Sequence, residues 1–399
     1  MKPVKLYYDS FPGKKLCYDE INEKFVPNGI YQEWQTGRYQ FHDLLNELSI
    51  PWEWTDDPKQ GMIVVDMESV GSAHTDTVLD FYASKFDKFV ASSLTEIRYG
   101  YLSDKVSRPL DRYPNTFFFD VGWPGYDCDF HIENPRWMPF PVMVFRNTST
   151  VMSGFLCHGE VNLEKPEKKL YDFNHLSYNC RLEKYVPHYY LHEKYKLGNC
   201  LFSYKGPNER QAKLIREALE HRGSVYNVDP VDLNKMLEGL SDKPFKEIQL
   251  HEDLVFNVNV RQHPEALYNS TCISLVSESY HADNIMFFTD KTMHPLLNCH
   301  PFIANGCIGY NKLLQDEFGF QIYDELFDYS FDTVESMFTK SEMIAKQAQA
   351  FDRSVLVDNL NSVREKVQYN KNLLANRSSS LFTKFRNVML DYIDRYYSK

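Results

Sequence analysis

Short runs of unbroken apolar residues, each followed by a stretch with helical spacing, constrain this chain more than any other feature. Three of them read "GMIVVDMES" (61–69), "TFFFDVG" (116–122) and "TCISLVSES" (271–279). A strand that is apolar on both faces needs cover on both faces, so strand–helix alternation of this kind predicts parallel sheets under helices. "VKLYY" (4–8) and "PVMVFRN" (141–147) read as further strands. "FHDLLNELSI" (41–50) and "DTVLDFYASKFDKFV" (76–90) have helical spacing, the second with Val78, Phe81, Phe86 and Phe89 near one face.

The alternation is interrupted once, by the polar passage "HGEVNLEKPEKK" (158–169), which reads as a linker. It then restarts: "LYDFNHL" as strand, 182–195 as helix, "CLFSY" as strand and "ERQAKLIREALEHRG" (209–223) as helix. With 399 residues, of which 43% are hydrophobic and 15% aromatic, two domains with substantial cores are expected. They are placed at 1–160 and 170–345, followed by helices over 346–399. Leu381, Phe385, Val388, Met389, Tyr392, Ile393 and Tyr396 form one apolar stripe there. In such architectures ligands bind at the C-terminal ends of the strands.

Composition narrows the function classes. Residues 1–160 hold 15 Lys and Arg against 23 Asp and Glu, whereas 361–399 hold eight basic against three acidic residues. An acidic front half is not the usual footprint of a nucleic-acid binder. No apolar run approaches the roughly 20 residues that span a bilayer, and no signal-like apolar stretch follows the N-terminus. Eight scattered cysteines without a C-x-x-C pair fit a reduced, cytoplasmic protein without a membrane partner, and a monomer is expected.

One passage, "FFTDKTMHPLLNCHPFIANG" (287–306), sets charges inside apolar surroundings. Thr289 suits an N-cap, and Asp290 in the first turn is favoured by the helix dipole. Lys291 is disfavoured by that dipole, and is explained if an anion shares the helix N-terminus. A diphosphate would then take Lys291 and the amides, leaving Asp290 to ribose hydroxyls, while Met293, Leu296 and Leu297 pack inward. An exposed Asp–Lys pair on a capped surface helix explains the same residues.

The segment "SLVSESY…FFTDKTMHPLLNCHPFIANGCIGYNKLLQDEFGFQIYDELFDYSFD" resembles the C-terminal signature of fucosyltransferase-like glycosyltransferases. In that signature an (S/N)-x-E strand precedes a T-E-K helix start and a hydrophobic strand ending near Gly. The layout is most similar to glycosyltransferase-like proteins of large DNA phages. The upstream "YDFNHLSYNCRLEKYVPHYYLHEKYKLGNCLFSYKG" fits too, and together these cover about residues 170 to 335. The resemblance implies an α/β, GT-B-like chain of two Rossmann-like domains, with a C-terminal helical segment packing back across them. The N-terminal domain would bind the acceptor and the C-terminal one a nucleotide-diphosphate sugar, a UDP-sugar or GDP-sugar. Arg181 would steady the departing diphosphate, Glu278 would contact the donor sugar or ribose, and Thr289, Asp290 and Lys291 would form the helix-start site. Asp290 is one methylene shorter than the family's Glu.

A glycosyltransferase needs a base for the acceptor hydroxyl. The densest patch is "WPGYDCDFHIENPRW" (123–137), with Asp127, Asp129, His131 and Glu133. Asp66 and Glu68 of "VVDMES" come second, and an ordinary loop acid is the plainer explanation for each. "DCD" also matches the metal-binding D-x-D of another glycosyltransferase fold. Cations at 181 and 291 already serve a diphosphate, so no metal and no further cofactor is expected. The acceptor that the phage resemblance implies is 5-hydroxymethylcytosine in double-stranded DNA, modified in a host cytoplasm. Arg98, Tyr99, Tyr101, Lys105, Arg108, Arg112 and Tyr113, with Lys384 and Arg386, would serve the DNA backbone or be plain solvated surface. A cytoplasmic glycan is the alternative acceptor, and a non-catalytic nucleotide-sugar-binding or structural α/β protein the alternative class.

Overall fold

The two alternating passages fold as two units: Met1–Met152 together with Asn376–Lys399, and Ser153–Ala375. The computed structural model of the chain describes residues 2–8, 15–19, 24–28, 41–66, 75–92, 112–125, 136–146, 163, 165–177, 181–204, 206–240, 264–278 and 285–398.

The first unit carries strands β1 (Val4–Tyr8), β4 (Trp52–Trp54), β5 (Met62–Asp66), β6 (Phe89–Ser92), β7 (Thr116–Asp120) and β8 (Trp137–Pro139). They form one parallel sheet in the order β4-β1-β5-β6-β7-β8, and β2 (Lys15–Asp19) and β3 (Lys24–Asn28) pair as an antiparallel hairpin. In chain order the six strands lie 2-1-3-4-5-6, so the direction of winding reverses once, beside β1. Every residue of β6 and β7 is buried, as their unbroken apolar runs require. Helices α1 (Phe41–Glu47), α2 (Thr75–Lys85) and α3 (Val142–Arg146) lie between or after the strands.

Two local expectations are corrected here. "PVMVFRN" reads as a strand but holds α3, and the edge strand is Trp137–Pro139 just before it. Pro141 has no N–H for a ladder, and its fixed φ suits the entry to a helix. The helical pattern of 76–90 likewise stops at Lys85, because Phe89 and Val90 belong to β6.

The second unit contains β9 (Tyr171–Ser177), β10 (Cys200–Tyr204), β11 (Thr271–Ser277) and β12 (Phe302–Asn305), all parallel, in the order β10-β9-β11-β12. In chain order this is 2-1-3-4, the same winding as in the first unit. Its helices are α4 (Leu182–His188), α5 (Glu209–Val225), α6 (Pro230–Gly239), α7 (Pro264–Ser270), α8 (Asp290–Leu297), α9 (Tyr310–Asp316), α10 (Met337–Ala350), α11 (Arg353–Asp358) and α12 (Leu360–Ala375). A π-helical turn, Tyr189–Lys194, continues α4, so the helix expected over 182–195 is present in two forms. The end of the polar passage is not a free linker. Lys169 is buried and donates to the Tyr268 carbonyl at 2.8 Å, and Arg353 donates to the carbonyls of Pro166 and Lys169.

The last helix, α13 (Ser380–Ser398), belongs to the first unit although its neighbours in sequence belong to the second. The helices grouped over 346–399 therefore divide at Ala375. The apolar stripe sits where its spacing predicts, with Leu381, Phe385, Met389, Tyr392, Ile393 and Tyr396 buried and Val388 at the margin. Phe385 meets Phe140 and Phe145 edge-on, at ring separations of 5.6 and 5.5 Å. Tyr392 donates to the Pro139 carbonyl at 2.8 Å, and the Tyr396 hydroxyl accepts from the Ile63 amide at 3.1 Å. Among the described residues no helix is long and apolar enough to cross a membrane.

Truncating this anchor leaves a cavity among aromatic rings. Phe385→Ala should destabilise the first unit by about 3–5 kcal/mol in denaturant unfolding. A loss under about 1 kcal/mol would mean that α13 does not complete that core.

Candidate functional site

In open parallel sheets a crevice forms where the winding reverses, outside the C-terminal ends of the strands. In the second unit that point lies between β9 and β11. The segment after β9 leads to Arg181 and α4, and the segment after β11 leads to Thr289 and α8. Four of the sequence-derived candidates, Arg181, Thr289, Asp290 and Lys291, are thus at helix starts bordering one switch point, and Glu278 directly follows β11.

The helix start at Asp290 is held by a buried acid. Glu278 is fully buried, and its Oε2 accepts from the Thr289 hydroxyl at 2.5 Å. Its Oε1 accepts from the Thr289 amide at 3.3 Å, the Thr292 hydroxyl at 2.6 Å and the Tyr310 hydroxyl at 3.1 Å. Burial, and then the Glu278 carboxylate, hold the Tyr310 phenol well above its usual range, so it remains a donor. The acid expected to touch the donor sugar or ribose is instead directed into the protein, where its lone pairs are taken by the helix it positions. Thr289 completes the cap by accepting from the Lys291 amide at 3.3 Å.

Gly306 belongs to the same construction. A Cβ there would lie 2.4 Å from the Tyr310 ring, so only glycine lets the ring lie against the backbone and reach Glu278. Lys340, buried on α10, fixes the turn after β12 by donating to the carbonyls of Gly306 and Cys307 at 3.2 and 2.8 Å.

Asp290 and Lys291 form an ion pair at 3.1 Å, their side chains 40% and 27% exposed. Burial alone would raise the Asp290 carboxyl. The Lys291 ammonium, with His294 and Lys184, outweighs burial and brings it down to about 2. The Asp290 carboxylate is therefore anionic at neutral pH, and both side chains face partly outward, so the pair can open toward a ligand. Arg181 stands exposed at the N-cap of α4.

Sequence reasoning did not single out the polar row on the other side of the sheet edge. Consecutive residues at a strand end point to opposite faces, so Ser277 lies opposite Glu278. Ser277 Oγ is 3.0 Å from Nε2 of His175, whose Nδ1 is 3.1 Å from Nε2 of His192. His192 stacks on Phe202 at 4.0 Å. Burial, followed by His192, His188 and Lys184, holds His175 well below the usual range, and burial brings His192 down to about 3, so both rings are neutral at pH 7. Three further buried atoms here, Ser177 Oγ, Lys184 Nζ and Asn305 Oδ1, have no hydrogen-bond partner among the described residues. They belong to the end of β9, the first turn of α4 and the end of β12.

The remaining candidates, Glu68, Asp127, Asp129 and His131, lie outside the described residues, as does Glu133. In the first unit Asp66, Ser92 and Asp120 end the neighbouring strands β5, β6 and β7, so polar residues close that sheet's C-terminal edge as well. Among the described residues no group of three or more His, Cys, Asp or Glu is arranged to hold a metal. No family model matches the chain, and neither a curated protein nor a solved structure matches it.

Removing the buried acid strands four donors. Glu278→Ala should cost about 2–4 kcal/mol in unfolding of the second unit. Gly306→Ala should destabilise it through the Tyr310 ring. If Glu278→Ala unfolds like the wild type, Glu278 does not hold the helix start.

Proposed function

We propose that the chain is a glycosyltransferase whose second unit holds a nucleoside-diphosphate sugar, a UDP-sugar or GDP-sugar, at the β9/β11 switch point. One observation carries this reading. Buried polar atoms without partners, Ser177 Oγ, Lys184 Nζ and Asn305 Oδ1, gather at the strand ends beside a helix start that bears Lys291. Buried polar groups are nearly always satisfied, so a concentration of exceptions at one sheet edge supports a polar ligand there. The cations and the helix start support an anionic one.

In this reading Lys291 exchanges Asp290 for the donor's phosphate, and Asp290, kept anionic, accepts from ribose hydroxyls. Arg181 neutralises the diphosphate as it leaves. These cations supply the charge stabilisation that a divalent ion provides elsewhere, so direct displacement needs no metal. The acceptor oxygen bonds to the sugar C1 as the C1–O bond to the diphosphate breaks, and the hydroxyl proton passes to a base. Glu68, Asp127, Asp129 and His131 of the N-terminal unit are the candidates for that base. Two parallel units with the same winding support a GT-B architecture. The acceptor implied by the resemblance is 5-hydroxymethylcytosine in DNA.

The test is nucleotide release from a panel of UDP-, GDP- and dTDP-sugars, with and without hydroxymethylated DNA. At least one donor should turn over, faster with the DNA, and Lys291→Ala should weaken donor binding by about tenfold or more. Absence of both binding and turnover would remove the glycosyltransferase reading. Turnover indifferent to DNA, with a glycan accepting instead, would remove the DNA acceptor alone.

A further inference from the structure

Among the described residues three lysines of the second unit are buried, and two of them show how this fold treats a structural ammonium. Lys169 ends on the Tyr268 carbonyl, and Lys340 on the carbonyls of Gly306 and Cys307. Lys184 is as deeply buried, 2% exposed, and its Nζ finds no hydrogen-bond partner among the described residues. A buried ammonium without hydrogen bonds costs several kcal/mol, and an apolar side chain of the same length would avoid that cost.

Charged and titratable groups on several elements act on Lys184. Lys291 and Asp290 stand at the start of α8, Glu278 at the end of β11, His175 on β9 and Glu183 beside it on α4. None of the three carboxylates is bonded to it. Glu278 is occupied by Thr289, Thr292 and Tyr310, and Asp290 by Lys291. The site therefore contains a second lysine near the first, with no hydrogen-bond partner among the described residues.

We infer that Lys184 is a second phosphate-binding lysine, acting with Lys291 on the donor's diphosphate, and that it becomes a hydrogen-bonded ammonium only when the donor is bound. This rests on the donor reading above and assigns a residue that reading leaves without a task. Burial, and then the positive charge of Lys291, hold Lys184 well below the ordinary lysine range, against the opposing pull of Glu278, Asp290 and Glu183. The empty site thus disfavours the ammonium form. A diphosphate brings the anionic oxygens that favour the ammonium, and the proton comes from solvent.

The sign of the linkage follows. The folded pKa lies below the unfolded value of about 10.4, so the unfolded chain binds more protons in the window between them. Lys184 therefore detracts from the stability of the empty protein on the acid side of that window, and the deficit disappears as pH rises through it.

The experiment is calorimetric titration of full-length wild type and Lys184→Met with UDP-glucose and GDP-mannose. It is run near neutral pH in two buffers of different ionisation enthalpy and paired with thermal unfolding without nucleotide. A sugar diphosphate has no group titrating near neutral pH, so protons taken up belong to the protein. Wild type should take up about one proton per donor bound. Lys184→Met should bind at least about tenfold more weakly, take up no such proton, and unfold at a higher temperature than wild type when empty. Wild-type binding without proton uptake would overturn the inference, and this arm holds even if the variant does not fold. So would a variant that binds within about twofold of wild type, or keeps the uptake and merely unfolds earlier. Failure of both donors to bind wild type would instead bring down the donor reading, and Lys184's role with it.

Discussion

The carboxylate of Glu278 is the contact on which the second unit's site depends. It sits where β11 ends and accepts from both the amide and the hydroxyl of Thr289, from Thr292 and from Tyr310. Those donors come from the cap and first turn of α8 and from α9, so one buried acid sets the position of two helices relative to the sheet edge. Its burial is tolerable because its donors are numerous and well aimed, which is the condition for keeping a polar group inside a protein. Gly306 and Tyr310 are part of that condition, since the ring reaches Glu278 only across a residue without a side chain.

A helix start fixed in this way can carry an unfavourable charge. Lys291 in the first turn of α8 opposes the dipole, and the adjacent Asp290 partly compensates it. Lys184 on the facing helix adds a second, buried and without a hydrogen-bond partner among the described residues. Both would be removed by simple substitutions if stability alone were at stake. Strain of this kind gathers at sites where a ligand completes the arrangement, and the switch point of a parallel sheet is where such a ligand is expected on topological grounds. The first unit repeats the winding and closes its strand ends with Asp66, Ser92 and Asp120.

Much of the architecture is legible along the chain because local pattern and burial agree. Unbroken apolar runs such as 116–120 and 271–277 have no stable home except a strand covered on both sides. The stripe at 381–396 buries as its spacing requires. The errors fall where a neighbour, not the residue itself, decides. Val142–Arg146 has strand-like residues, but Trp137–Pro139 has already taken the sheet edge. Phe89 extends a helical pattern and yet lies in β6, because periodicity does not say where one element yields to the next.

By itself, then, the sequence determined two parallel α/β units, the cap at Thr289 and a charged pair at the start of an otherwise apolar helix. These depend on neighbours a few residues apart. Tertiary structure alone decided that Glu278 faces inward, that Gly306 exists for Tyr310, that α13 rejoins the first unit, and that Lys184 is enclosed without a hydrogen-bond partner among the described residues. Most of those turn on a contact between residues 11 to more than 200 positions apart, or on the absence of one. No periodicity encodes which of two lysines, each at its own helix start, will be enclosed, because enclosure is a property of the packed elements around it.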